Sequence, residues 1–154
     1  MKLKLMIAAA ATALVAETAS AQVFVIGNGL GGECFQKTKS GFSNFRAVEE
    51  ICTRALREQA MTRKNRAATY VNRGVLRMRE GQYEKALADY SEAVSLQPEL
   101  GAAYLNEGAA HIYRRDFASA LSPLDRAIEL ESHDLLAAYY NRAIAKENTG
   151  DVTG

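Results

Sequence analysis

Tryptophan is absent from this chain of 154 residues, and proline, cysteine and histidine occur twice each. Each scarcity excludes something. Two cysteines without nearby histidines fall short of the four ligands of a structural zinc site, so no metal is expected. With only Pro98 and Pro123, the stretches rich in Ala, Leu, Arg and Glu are free to be helical. No run of β-branched residues follows Ile26, so strands are not expected. Charge of one sign is also missing: 19 Lys and Arg stand against 18 Asp and Glu. That balance gives no reason to expect nucleic acid or an anionic membrane as partner. The one long apolar run, Leu5 to Val15, has 11 residues, where a stable membrane span needs ~20.

That run belongs to a leader. Lys2 and Lys4 precede it, and Ala19-Ser20-Ala21 supplies the small-x-small pattern of a signal-peptidase site. Residues 1–21 are therefore read as a signal peptide, cleaved to leave Gln22 first. Cleavage removes Lys2, Lys4 and Glu17, leaving 17 residues of each sign. The mature chain is expected to be periplasmic or secreted, to make no membrane insertion after cleavage, and to form one domain.

Residues 23–32, "VFVIGNGLGG", place Gly27, Gly29 and Gly32 in the G-x-G-x-x-G spacing of a dinucleotide-binding turn. The context is wrong. No neighbouring strand exists to pair with Val23–Ile26, and no βαβ unit fits behind them. Glu49 and Glu50 lie about 20 residues on, where a ribose-binding acid is sought, but inside a helical pattern. Residues 22–32 are read as a flexible Gly-rich segment and no cofactor is expected. His111 and His133 have no nucleophile in a recognisable context beside them. Paired carboxylates such as Glu49/Glu50 and Glu129/Glu131 read as solvated helix faces. No catalytic residue is assigned, and the chain is read as not an enzyme.

What the chain does contain is a repeat. Residues 67–100 and 101–134 align without a gap at an offset of 34, with identities at Ala68/Ala102, Tyr70/Tyr104, Asn72/Asn106, Gly74/Gly108, Ala86/Ala120, Leu87/Leu121, Ala93/Ala127 and Leu96/Leu130. A further copy begins at Leu136, with Tyr139 and Asn141 in register after one inserted residue. Gly74, Gly108, Ala93 and Ala127 are small where two helices must approach. Tyr70, Tyr83 and Tyr90 are large where a neighbouring helix leaves a hole. Gly81 allows a turn and Pro98 stops the second helix.

This arrangement resembles the tetratricopeptide repeat, a helix-turn-helix unit of about 34 residues, and more loosely exported bacterial proteins built from it. The first copy carries the pattern best; in the second, Arg115 replaces the turn glycine and Ser132 the terminal proline. The resemblance implies an all-α solenoid of antiparallel helix pairs, a right-handed superhelix. Its expected units are a degenerate pair at 33–66, repeats at 67–100 and 101–135, and the first helix of a third at 136–154. Within 33–66, Val48, Ile51, Cys52, Ala55 and Leu56 share one helical side.

The resemblance also implies a concave groove lined by the first helix of each pair. Its positions here are Val71, Asn72, Val75, Met78 and Arg79, then Leu105, Asn106, Ala109, Ile112 and Tyr113, then Tyr140, Asn141, Ile144 and Asn148. Asn72, Asn106 and Asn141 recur at one repeat position. A carboxamide can bridge the N–H and C=O of an extended peptide, and it can equally bond neighbouring helices. Arg73, Arg77, Arg79 and Arg142 are expected to form a largely solvated cationic edge.

Export brings Cys34 and Cys52 into an oxidising compartment, where an even pair closes. A disulfide between them is expected. The implied function is a non-catalytic protein-interaction module of the bacterial envelope, holding peptide segments of partners in its groove. The alternative is a structural adaptor that self-associates. Tyr139, Tyr140, Ala143 and Ile144 would lack a covering helix, either because the chain is a fragment or because another molecule covers them.

Overall fold

The structure, a computed structural model, describes residues 23, 25, 27, 29–41 and 44–151. The expected signal peptide lies outside the described residues. Seven helices follow one another with no strand among the described residues: α1 (Leu30–Lys39), α2 (Phe45–Glu58), α3 (Arg63–Arg79), α4 (Tyr83–Leu96), α5 (Gly101–Tyr113), α6 (Phe117–Glu129) and α7 (Leu135–Thr149).

Their ends are set by local chemistry. Four helices open on a side chain that accepts a backbone N–H of the first turn: Asn44 from Ala47, Thr62 from Asn65, Asp116 from Ser119 and Asp134 from Ala137. Each such cap offsets one orphaned donor, about 1 kcal/mol. The turns between paired helices need left-handed backbone, at Gly41 (φ 68°) and Gly81 (φ 71°). Arg115 takes this role in the second repeat at φ 60°, where a side chain costs about 1 kcal/mol that glycine avoids.

Within each pair the helices approach until a backbone becomes the contact surface. A Cβ on Gly74 would collide with the Tyr90 ring, and one on Gly108 would stand 2.5 Å from Leu124 Cγ. Tyr90 and Leu124 are fully buried. Ala67, Val71, Ala86, Tyr90 and Ala93 form one core with Ala103 and Ala109 of the next pair, and Leu105, Ile112, Ala120, Leu124 and Ala127 form another with α7. Neighbouring pairs thus share their cores, which makes the architecture an all-α solenoid.

The stack has a distinguishable inner side. Successive first helices pack on one another, α1 on α3, α3 on α5 and α5 on α7. Among the described residues no two second helices pack to a similar extent. A stack closer along one row than the other bends toward that row, so α1, α3, α5 and α7 line its concave side.

One departure from the sequence reading concerns the N-terminal part. The Gly-rich segment is not merely flexible: α1 begins at Leu30, so Gly31 and Gly32 are helical. Gly27 and Gly29 adopt φ 120° and 115°, and a Cβ on Gly32 would stand 2.5 Å from the Gly27 carbonyl oxygen. The glycines make a tight entry into α1. The expected disulfide is present: Cys34 and Cys52 link α1 to α2 with Cα atoms 4.9 Å apart, in a small cluster with Val48 of α2 and Leu76 of α3.

At the other end, Leu136 is 81% and Tyr139 50% exposed on α7, leaving an apolar stripe there. Among the described residues no helix is long and apolar enough to cross a membrane.

The disulfide spans 18 positions, a loop whose closure is worth about 3 kcal/mol. Denaturant unfolding with and without a thiol reductant should show a loss of about that size. An unchanged midpoint would show that the link does not staple the α1–α2 pair.

Candidate functional site

The three repeated asparagines sit on α3, α5 and α7, the helices that line the concave side, and all three are fully buried. Asn72 shows what such an amide does. Its Oδ1 accepts the Val23 N–H at 3.2 Å, and its Nδ2 donates to the Val23 carbonyl oxygen at 3.0 Å. One side chain thereby satisfies both polar groups of one peptide residue, whose position is 49 residues away in sequence. The segment continues with Val25, 6% exposed, which packs with Phe35 of α1 and Ala68 of α3; Val23 rests against the same cluster.

Asn141 is the complementary case. Neither its Nδ2 nor its Oδ1 has a hydrogen-bond partner. A buried amide left unpartnered costs about 1–3 kcal/mol per group.

The other expected groove positions divide by depth. Val71, Val75, Met78, Leu105, Ala109 and Ile112 are all buried, forming the floor between helices. Tyr113 stacks on Tyr83, ring centroids 5.7 Å apart. Tyr140 and Ile144 are half-buried against the Leu105 and Ile112 cluster. Asn148 is exposed and donates to the Ile144 carbonyl oxygen of its own helix. Arg79 donates to the Thr38 carbonyl oxygen at 3.1 Å and lies over the Phe45 ring, so it ties α3 to the preceding pair.

The cationic edge is a correction. Arg73 and Arg77 side chains are only 13% and 15% exposed, and both donate to Asp89 of α4, at 2.7 and 2.9 Å. Arg77 also pairs with Glu49 at 2.8 Å, and Arg73 donates to Thr53 Oγ1. Their charge is consumed in binding α2, α3 and α4 together. Glu49, read as a solvated face, is 19% exposed and part of the same network. Arg142 pairs with Asp125 at 3.0 Å.

A cleft beside the Gly-rich turn, lined by Val25, Gly27, Gly29, Leu30, Gly32, Glu33 and Gln36, carries no phosphate chemistry. The Gly31 N–H, which would face an anion, donates to Gln59 Oε1 at 2.8 Å, and Glu33 adds negative charge in the first turn. Among the described residues no group of His, Cys, Asp and Glu is gathered that could hold a metal ion.

Comparison with known proteins agrees with this architecture. Residues 67–100 match the family profile described as tetratricopeptide repeat. Human tetratricopeptide repeat protein 6 is 29% identical over 102 residues, 66% of this chain and 18% of that protein. A protein SGT1 homolog of Oryza sativa subsp. japonica is 30% identical over 100 residues, 64% of this chain and 26% of the relative. The chain therefore aligns with about a quarter or less of either relative's length, and what it has in common with them is the repeat. Such repeats generally serve protein–protein interaction through their concave surface.

Sequence reasoning missed one group beside the asparagines. Glu107 follows Asn106 on α5, and burial alone raises its carboxyl above the ordinary 4.5. The fold therefore favours the neutral acid, and stability falls as pH rises through the window from the ordinary value to the raised one. Glu107→Gln should raise the melting temperature at about pH 7 and leave it nearly unchanged at about pH 4. An equal effect at both would show that Glu107 is not held against burial.

Proposed function

We propose that this chain is a non-catalytic interaction module of the bacterial envelope that holds extended peptide segments of partner proteins along its concave side. The observation that carries the reading is the paired contact of Asn72 with both backbone groups of Val23. Because it touches only the main chain, it tolerates any side chain there. Repetition at Asn106 and Asn141 then gives one backbone-reading amide per unit, spaced as the helices are stacked. Shape and apolar contact come from the buried floor beneath them.

The envelope part of the proposal rests on the leader pattern of residues 1–21 and on the disulfide, which forms and persists in oxidising compartments.

One experiment tests both parts. The chain is expressed with its own leader in a bacterium, recovered from the periplasm and presented to an array of unstructured peptides. Export predicts Gln22 as the first residue. The groove predicts that Asn106→Ala/Asn141→Ala lowers affinity for the captured peptides by about tenfold or more, the equivalent of ~1.4 kcal/mol, while helicity is retained. Equal capture by both forms would remove the asparagines from the function.

A further inference from the structure

The segment held by Asn72 belongs to the chain itself, and its placement says more than how a peptide is gripped. Val23 and Val25 stand two residues apart, the spacing that puts side chains on one face of an extended strand. Both rest on the same cluster, Phe35 of α1 and Ala68 of α3, while Asn72 takes the backbone at Val23. Val25 is almost completely buried there. The tight entry at Gly27 and Gly29 returns the chain from this position into α1.

We propose that Val23 and Val25 form an intramolecular plug in the groove, and that the partner this position fits is an extended strand with two aliphatic side chains at i and i+2. The proposal rests on the groove reading above and adds to it a partner chemistry and a regulation. A partner strand reaches Asn72 and the Phe35–Ala68 cluster only by displacing the chain's own segment. The competition is unequal. A segment joined by a few residues presents itself at an effective concentration of the order of mM. Weak strands are therefore excluded, and only a strand that also engages positions farther along the groove competes well.

The plug can be tested with its own sequence. The probe is an acetylated, fluorescein-labelled peptide of residues 22–30, QVFVIGNGL, titrated by fluorescence anisotropy. It is added to the exported chain and to a Val23→Ser/Val25→Ser variant of matched helicity. The variant should bind the probe about tenfold or more tightly than the unsubstituted chain, because its own segment competes less. A probe with serine at both valine positions should bind neither. Equal affinity for the two chains overturns the plug and leaves the groove reading standing. Binding to neither chain overturns the plug and the extended-strand reading together. A second measurement needs no variant: excess unlabelled peptide should accelerate hydrogen exchange at the Val23 amide of the unsubstituted chain. Unchanged exchange at saturating peptide overturns the plug.

Discussion

Everything in this solenoid depends on how closely two helices of a pair can approach. Gly74 lets the Tyr90 ring lie on the α3 backbone, and Gly108 does the same for Leu124 on α5. A methyl group at either site would have to push a buried side chain aside, at about 1–3 kcal/mol. Because the approach recurs at one interval along the chain, the pairs are alike enough to stack. Stacking in turn sets the first helices in one row, and that row places Asn72, Asn106 and Asn141 on one side.

The N-terminal pair shows what happens where the repeat pattern is poor. Its cysteines and Val48 form only a small apolar cluster with Leu76 of α3. Other interactions hold it in place: the Cys34–Cys52 link, the arginine network from Glu49 and Thr53 to Asp89, and the Arg79 contact with Thr38. These bonds are polar or covalent, so they fix position without needing a large buried area. Breaking a buried ion pair by removing one member is costly, about 3–5 kcal/mol. Arg73 and Arg77 are thus structural, and the concave side owes its chemistry to amides rather than to charge.

The repeat was legible because packing constraints recur. A glycine opposite a large residue, seen twice at the same interval, identifies a close helix pair before any coordinates are known. The Cys34–Cys52 link was legible from the even cysteine count together with the expected export. The arginine network was not, since its partners lie across different helices and the pattern is not repeated. Where the first copy has Arg73 and Asp89, the second has Glu107 and Pro123. The role of Val23 was also hidden. Nothing in a lone Val-Phe-Val stretch points to an asparagine 49 residues away. The Gly-rich stretch misled in one respect: read as flexible, its glycines are constrained positions in a sharp entry to a helix.

At the centre of the structure a buried amide, Asn72, holds both backbone groups of Val23. A crystal structure of the chain, with or without an added peptide, tests this most directly. It should show the Asn72 carboxamide hydrogen-bonded to the N–H and the C=O of one residue in an extended strand, supplied by the chain itself or by the peptide. An Asn72 side chain bonded only to neighbouring helices, with no strand against it, would contradict the account.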